Sequence, residues 1–461
     1  MRKGLPHKTR RGLILLGLVL SLLVGLWLGM HMPGLIDALA GGDIEPSQPL
    51  SETQSEAARE DHAPFPGRWT ARMSIPADVD RETMEQIIAL GYMAGTSPAT
   101  PYRGVTHYDE EKAFDGLNLY CSGHAQKAYL MDMRGNVLHT WEASYEDIGP
   151  GDVKYRGKDF WRRVYLGHDG SLLAVYEFVG LVKLDNDSHV LWTNWSGCHH
   201  DMHVEQDEIH VLGRELKIVP WFSPEKEVYD DFILTLDHDG NELNRVSLLE
   251  SLQNSKYRRT LSTVRDKLDI TPDVLHTNTV EILDGRLGDG EFPFVPGHAL
   301  VSMLGIDSIG VVDLAQKEFT WFMGMGSLWR WQHEPKSLDN GNMLIFANYG
   351  LHFPEIESSQ ILELDPYTHE IKWVYEGDPP EEFFTATCGA VQRLPNGNTL
   401  ITESDKGRAF EVTPGGEIVW EFYNPAQIDG GDSVLVATLF EVVRLPPDFP
   451  LTWLDEPADP L

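Results

Sequence analysis

The sequence predicts an all-β protein: a six-bladed β-propeller with an N-terminal membrane anchor and short helical insertions. A hairpin pattern recurs six times, with a short strand, a polar turn that often contains Asp or Gly, and a second strand that usually carries Trp. The turns begin at Asp132, Asp185, Asp237, Asp313, Asp365 and Thr413, with spacings of 53, 52, 76, 52 and 48 residues. A second hairpin precedes five of the six. Four strands in each repeat of about 50 residues make one blade, and such blades stack radially.

The two ends of the chain are predicted to close the ring. The blade nearest the N-terminus lacks its leading strand, and the segment 437–445 can supply it. Pairing the two ends would remove an exposed sheet edge. We therefore assign the propeller to residues 110–454. A β-sandwich or two stacked β-domains is the alternative architecture, but six copies at a near-constant period favour the propeller.

Two insertions account for the long spacing of 76 residues. Residues 248–276 have a helical pattern, and residues 284–297 are rich in glycine. We expect both segments to project over a face of the ring. Loops held by a rigid scaffold often form binding sites.

The N-terminal segment is predicted to anchor the protein in a membrane. Residues 1–11 form a basic flank that should stay in the cytoplasm. The apolar stretch within residues 12–32 is long enough to cross a bilayer core of about 30 Å. We expect a single-pass anchor with the C-terminal domain outside the cytoplasm, in the periplasm; a cleaved secretory signal is the alternative. Residues 41–66 read as a flexible linker, and residues 67–109 as an extension with a short helix at 80–95.

The composition excludes several classes of function. With 37 basic and 71 acidic residues the net charge is −34, which argues against a nucleic-acid partner. The three cysteines, Cys121, Cys198 and Cys388, form no CxxC motif, which argues against a zinc finger or a thioredoxin-like centre. Two alternatives remain for these cysteines: one disulfide with one thiol left over, or three buried free thiols.

Histidines stand at equivalent places in three repeats. The first strand of each propeller blade lines the central channel, so residues at its start reach one opening. Three of these strands begin with His200, His276 and His333. We expect the three side chains to meet at one mouth of the channel. Imidazole is a nucleophile and a proton shuttle near neutral pH. Three histidines also suit zinc, but no HExxH motif supports a metal, and we predict neither metal nor cofactor.

The order of these motifs resembles the bacterial arylsulfotransferase family, the exported enzymes that need no nucleotide sulfate donor. The similarity covers roughly residues 75–445 and includes 116–141, 199-HHDMH-203, 275-LHTN-278, 332-QHEP-335 with the hairpin after it, and 392–425. The resemblance implies a six-bladed propeller that moves a sulfuryl group from an aryl sulfate to a phenol. It implies that His333 is the nucleophile that forms a sulfohistidine, that His200 and His276 flank it, and that Asn278 is a hydrogen-bond donor.

One departure from the family concerns a cation. The family has an arginine where this chain has Leu304. Arg330, Lys336, Arg393 and Arg214 are the candidates to bind the sulfate instead. Two other readings remain: a non-catalytic propeller that binds a partner or a glycan, and a quinone-dependent dehydrogenase. The second is disfavoured, because those enzymes usually have eight blades and a vicinal cysteine pair.

Overall fold

The computed structural model describes residues 69–72, 101–151, 156–324, 328–349, 358–429 and 434–454. These residues form an all-β propeller of six antiparallel sheets, plus one small three-stranded sheet. The predicted fold is therefore confirmed for the propeller. The predicted anchor at 12–32, the linker at 41–66 and the helix at 80–95 lie outside the described residues.

The strands follow the chain blade by blade. Two strands precede the first blade: β1 (Trp69–Arg72) and β2 (Gly104–Tyr108). The first blade contains β3 (Leu117–Ser122), β4 (Lys127–Met131) and β5 (Val137–Glu142), and the short helix α1 (Tyr145–Ile148) follows it. The second contains β6 (Arg163–Leu166), β7 (Leu172–Tyr176), β8 (Gly180–Leu184) and β9 (Val190–Asn194). The third contains β10 (Cys198–Val204), β11 (Ile209–Val219), β12 (Ser223–Leu236) and β13 (Glu242–Ser247).

The remaining blades repeat this order. After the helices α2 (Leu248–Asn254) and α3 (Thr260–Asp266), the fourth blade contains β14 (Thr277–Ile282), β15 (Ala299–Met303), β16 (Ser308–Asp313) and β17 (Glu318–Gly324). The fifth contains β18 (His333–Ser337), β19 (Met343–Ala347), β20 (Gln360–Leu364) and β21 (Ile371–Tyr375). The sixth contains β22 (Ala390–Arg393), β23 (Thr399–Glu403), β24 (Arg408–Val412) and β25 (Ile418–Tyr423), and β2 adds a fifth strand to it. Three strands end the chain: β26 (Gln427–Asp429), β27 (Val434–Ala437) and β28 (Leu439–Leu445).

The ring closes as predicted. Strand β28 pairs antiparallel with β3, from Leu439 opposite Ser122 to Leu445 opposite Leu117. It thus supplies the leading strand of the first blade. Strands β1, β27 and β26 form the small separate sheet.

The recurrent tryptophans join neighbouring blades. In four blades an indole N–H on the outer strand donates to a backbone carbonyl in a turn of the next blade, as Trp141 does to Gly170, Trp192 to His238, Trp373 to Pro414 and Trp420 to Met133. A buried indole N–H needs such a partner. The central strands are apolar on both faces, because every strand packs between two neighbouring blades; all five residues of β7 and of β19 are buried.

Both predicted insertions are present. Residues 248–276 form α2 and α3, and a 3₁₀ turn at Leu287–Gly290 lies in the glycine-rich insertion. The three cysteines are free and buried. Burial raises the pKa of Cys121 and of Cys198 to about 12, so their thiols are poor nucleophiles. Within the described ranges no helix is long and apolar enough to cross a membrane.

Candidate functional site

The site lies where the first strands of several blades begin. Arg163 at the start of β6 forms ion pairs with Asp201 of β10, Glu334 of β18 and Glu441 of β28. These contacts place the first strands of four blades around one central channel. The predicted convergence of inner strands is thus present in the structure.

Bulges shape the starts of three inner strands. The register shifts between Cys198 and Met202 in β10, at Thr277–Thr279 in β14 and at His333–Lys336 in β18. His200 and His276 have positive φ angles of 53° and 48°, a region that side chains other than glycine seldom adopt. Such bulges re-aim side chains and are common beside functional sites.

The tautomer of His333 is fixed by its surroundings. The Nδ2 atom of Asn348 donates to the carbonyls of Thr385 at 2.9 Å and Cys388 at 2.8 Å, which defines the orientation of the amide. The Oδ1 atom of Asn348 lies 2.7 Å from Nδ1 of His333, and an amide oxygen can only accept. His333 therefore carries its hydrogen on Nδ1. The lone pair is on Nε2, the atom that can act as a nucleophile.

The ring of His333 is neutral over a wide pH range. Burial lowers the pKa of His333 to about 3, and the hydrogen bond to Asn348 offsets only part of this effect. Arg162 and His276 lie close enough to lower the pKa further. A neutral, desolvated imidazole whose Nε2 lone pair is available is the reactive form for attack on an electrophile.

His200 and His276 are in contact, with ring centroids 5.0 Å apart in an edge-to-face arrangement. The Nδ1 atom of His200 lies 2.8 Å from Nδ1 of His199 and 3.2 Å from a Glu177 carboxylate oxygen. Burial holds the pKa of His200 well below its ordinary value, and the adjacent rings of His199 and His276 lower it further. The segment of His333 is held against that of His276, because Asn278 donates to the carbonyl of Gln332 and Thr279 accepts from the backbone N–H of Glu334.

His276 is paired with a carboxylate. Its Nδ1 atom lies 2.7 Å from Oδ2 of Asp273, which also accepts from Nη1 of Arg214 at 2.9 Å. Burial alone would raise the pKa of Asp273, but His276 and Arg214 outweigh it and hold that pKa well below its usual range. Arg214 stacks between the rings of Phe178 and Tyr229, which fixes the whole arrangement.

A buried arginine completes the cluster. Arg162 is only 2% exposed and immediately precedes β6, at the place in its blade that the histidines occupy in theirs. Its Nε atom lies 3.5 Å from Oε2 of Glu177, and its guanidinium faces the ring of Phe440. Among the described residues nothing accepts a hydrogen bond from Nε. The positive charge of Arg162 lowers the pKa of both His200 and His333.

The place of the family arginine is next to this cluster. The backbone N–H of Leu304 donates to the carbonyl of His276 at 3.1 Å. At this position the chain has leucine, whose backbone contacts His276, and the cation of the cluster, Arg162, lies two blades away. We call Arg162, His200, His276 and His333 the histidine–arginine cluster.

A network of charges crosses the channel beyond the cluster. Nζ of Lys336 lies 3.0 Å from Oε1 of Glu334, and Arg163 lies 2.7 Å from Oε2 of the same carboxylate. Burial would raise the pKa of Glu334, but Arg163 and Lys336 lower it. Lys336, predicted as a substrate-binding residue, is therefore occupied by neighbouring carboxylates.

The other predicted binding residues occupy different places. Arg393 pairs with Glu363, whose carboxylate also accepts from Asn340 and Asn342 in the turn at the far end of the β18–β19 hairpin. The structure does not bring Arg393 to the histidines. Arg330 is exposed near the mouth, and its backbone forms an isolated antiparallel β-bridge with that of Tyr349.

Asn278 supports the backbone next to His333. Its Nδ2 atom donates to the carbonyl of Gln332 at 2.9 Å, and its Oδ1 atom accepts from Thr279. The amide thus joins β14 to the segment that leads into β18. This contact fixes the approach of the chain to His333.

Sequence reasoning missed three members of the site: Arg162, Asp273 and Asn348. Arg162 could have been found, because the segment 161–166 opens an inner strand in the same way as the histidine segments. Asp273 lies three residues before His276, and a carboxylate so close to a histidine is a usable signal. Asn348 lies on the neighbouring strand, and only the tertiary structure brings it to His333.

Fold and site together define a class: a six-bladed propeller with a buried, neutral histidine, two flanking histidines and an arginine at one mouth of its channel. The chain belongs to the arylsulfotransferase (ASST) family, whose model matches residues 164–425, more than half of the chain. No curated protein matches the chain.

Several solved structures share limited similarity with the chain. A protein of unknown function from Bacteroides caccae is 12% identical with a TM-score of 0.45, over 70% of this chain and 99% of its own. A streptogramin B lyase is 13% identical with a TM-score of 0.39, over 73% of this chain and 93% of its own. Virginiamycin B lyase from Staphylococcus aureus is 9% identical with a TM-score of 0.40, over 73% and 99%. Similarities this low say nothing about function.

Proposed function

We propose that this protein moves a sulfuryl group from an aryl sulfate ester to a phenolic acceptor, through a sulfohistidine on His333. The observation that carries the proposal is the pairing of His333 with Asn348, which leaves the Nε2 lone pair of a neutral imidazole available beside Arg162. Membership of the arylsulfotransferase family supports it. The reaction is covalent and has two half-reactions.

In the first half-reaction, Nε2 of His333 attacks the sulfur of the donor. The N–S bond forms while the bond between sulfur and the aryl oxygen breaks. The imidazole gains positive charge, and Asn348 Oδ1 stabilises this charge because it accepts the Nδ1 hydrogen at 2.7 Å. The sulfuryl oxygens carry negative charge in the transition state, and the guanidinium of Arg162 is the cation placed to stabilise it.

The leaving phenolate needs a proton, and His276 is suited to supply it. Its Nδ1 atom is held by Asp273, so Nε2 is the atom that exchanges protons with the phenolic oxygen. The Asp273 carboxylate stabilises the protonated ring in the way that a carboxylate orients a catalytic histidine. His200, in contact with His276, binds a sulfuryl oxygen.

The second half-reaction reverses these roles. The oxygen of an acceptor phenol attacks the sulfur, and its proton passes to His276. The N–S bond breaks and neutral His333 is restored.

Because the charge network of Arg163 and Lys336 crosses the channel, we propose that donor and acceptor both enter from the mouth where the histidines lie. The proposal includes an extracytoplasmic location and the membrane anchor expected at residues 12–32.

The test is a transfer assay on the full-length protein with para-nitrophenyl sulfate as donor and phenol as acceptor. We expect nitrophenol release that depends on phenol and is lost in His333→Ala. The matched control is His189→Ala, because His189 lies in an exposed turn with a side chain that is 77% exposed. Release by the wild type that does not exceed that of His333→Ala, across several aryl sulfates, would overturn the proposal and favour a non-catalytic propeller.

A further inference from the structure

A second cluster of ligand-type side chains lies in the turn between β10 and β11. The segment from His203 to His210 reads HVEQDEIH, so its histidines and glutamates occupy mirror-related places. His203 pairs with His210 across the hairpin, and the backbone N–H of Glu205 donates to the carbonyl of Glu208 at 2.9 Å. Side chains alternate along a strand, so these four point to one face of the hairpin.

Three of these side chains meet. Nε2 of His210 lies 3.3 Å from Oε2 of Glu205 and 3.3 Å from Oε2 of Glu208. The three ligand atoms all lie within 4.8 Å of one another. For tetrahedral zinc with ligand bonds of about 2.1 Å, the ligand atoms stand roughly 3.4 Å apart. The two distances from His210 therefore match the spacing of ligands around one metal ion.

The ring of His210 gives an independent sign of a ligand. It is 3% exposed, and within the described part of the chain its Nε2 atom faces the two carboxylates at 3.3 Å without a well-aligned hydrogen bond to either. The other ring atom, Nδ1, lies 3.2 Å from Oγ1 of Thr235 on β12, which orients the ring. A buried ring nitrogen without a well-aligned hydrogen bond is costly, and a cation shared with the two carboxylates would bind all three groups.

Charge balance also favours a cation at this place. The two glutamates are 45% and 44% exposed, so solvent and ions can reach them. The two carboxylates carry two negative charges, which a divalent ion would neutralise.

We propose that Glu205, Glu208 and His210 bind one Zn²⁺ ion, with water completing the coordination. One imidazole nitrogen and two carboxylate oxygens are ligands that suit first-row divalent metals. Ca²⁺ and Mg²⁺ prefer sites made entirely of oxygen, so they fit less well. The ion would tie the turn to β11 and stabilise the third blade.

This site is separate from the histidine–arginine cluster. His200 lies near the start of β10, whereas Glu205 follows its end, five residues later. At about 3.3 Å per residue, that is roughly 16 Å along the strand. The proposed ion therefore has no part in sulfuryl transfer, and its loss leaves that reaction unchanged.

The test is a calorimetric titration of the metal-free, full-length protein with Zn²⁺. We expect the Glu205→Gln/Glu208→Gln variant to bind one equivalent fewer than the wild type. The matched control is Glu225→Gln/Glu227→Gln, which removes two exposed carboxylates from β12 of the same blade and should bind as the wild type does. Equal Zn²⁺ binding by the wild type and Glu205→Gln/Glu208→Gln, or no binding by either, would overturn the proposal.

A spectroscopic arm keeps the test decisive if the double variant folds poorly. Co²⁺ takes sites of the zinc type and absorbs visible light when bound in a low-symmetry environment. We expect the wild type to show this absorption and His210→Gln to lose it. Zn²⁺ should also raise the thermal unfolding midpoint of the wild type but not of His210→Gln. Identical Co²⁺ spectra for the two proteins would contradict the site.

Discussion

Asn348 Oδ1 accepts the Nδ1 hydrogen of His333 at 2.7 Å, while the amide nitrogen of Asn348 is held by two backbone carbonyls. A 180° flip of the Asn348 amide would break all three hydrogen bonds. It therefore selects the tautomer of His333 in which Nε2 is the nucleophile. Each consequence of this arrangement for sulfuryl transfer can be measured on the full-length protein.

Replacing Asn348 should slow the first half-reaction. In Asn348→Ala the Nδ1 hydrogen of His333 keeps only the Trp331 carbonyl, 3.2 Å away, as an acceptor, so the tautomer and the developing charge are less well stabilised. We expect the rate of sulfuryl transfer from para-nitrophenyl sulfate to fall by roughly 10²- to 10³-fold. The measurement is kcat/KM for the donor, with Asn398→Ala as a buried asparagine outside the cluster for comparison. A rate within about twofold of the wild type would show that the tautomer is held in another way.

Replacing Arg162 should remove stabilisation of the sulfuryl oxygens. Arg162→Gln keeps a polar group of similar reach but loses the charge, and we expect kcat/KM to fall by roughly 10²- to 10³-fold. Arg162→Lys should recover part of the rate, because a lysine restores the charge without the planar donors. Arg259→Gln, in the exposed segment between α2 and α3, is the control. Full activity in Arg162→Gln would rule out Arg162 as the sulfate-binding cation.

The low pKa of His333 should appear in the pH dependence of stability. In the folded state His333 takes up a proton only near pH 3, whereas an unfolded histidine does so near pH 6.5. The unfolded chain therefore binds more protons between these values, so this group's stability contribution is present above pH 6.5 and is lost as the pH falls. From about pH 7 to about pH 5 the loss amounts to about 2 kcal/mol.

The measurement compares the wild type with His333→Gln by chemical unfolding at several pH values. The wild type should lose more free energy of unfolding on acidification than the variant. Other groups titrate in both proteins, so their effects cancel in the difference. A difference that does not change with pH would mean that His333 titrates normally in the folded protein.

Ring closure depends on a buried ion pair between Arg444 of β28 and Glu411 of β24, with Nη1 and Oε2 2.9 Å apart. Both side chains are fully buried, and Arg444 also donates to Oδ1 of Asn118 on β3 at 2.7 Å. Arg444→Met leaves the carboxylate buried without its partner, and we expect a loss of about 3–5 kcal/mol in the free energy of unfolding.

The control for this prediction is Arg134→Met, because Arg134 pairs with Glu110 on the surface, where both side chains are more than half exposed. An exposed pair contributes less than about 1 kcal/mol. The double variant Arg444→Met/Glu411→Gln should regain part of the stability, since it removes the unpaired charge. Equal losses from the buried and the exposed arginine would contradict a special role for Arg444.

The sequence was sufficient to predict six blades and their closure, because turn residues and strand alternation are local and repeat. The first blade has only three consecutive strands, which indicated that the C-terminal strand β28 supplies the fourth. Equivalent repeat positions led us to expect His200, His276 and His333 near one another, and the rings of His200 and His276 are in contact. The backbone N–H of Leu304, the position at which the resemblance leads us to expect an arginine, donates to the carbonyl of His276.

The partners of these residues were harder to predict. Asn348 reaches His333 across a strand pair, and no local pattern marks such a contact. Lys336 pairs with Glu334, and Arg393 pairs with Glu363. A charged residue near a motif in sequence therefore can be paired with a carboxylate instead of facing the site. Arg162 stands at the start of an inner strand, where three other blades have histidine, and a search for histidines alone does not find it.

The central claim is the covalent intermediate on His333, and mass spectrometry of the protein tests it most directly. The full-length protein is mixed with para-nitrophenyl sulfate in the absence of an acceptor, quenched at alkaline pH and digested. We expect a sulfuryl group on the peptide that contains His333, removed when phenol is added before the quench and absent in His333→Ala. A nitrophenol burst without any modified histidine, or the same modification in His333→Ala, would contradict the sulfohistidine mechanism.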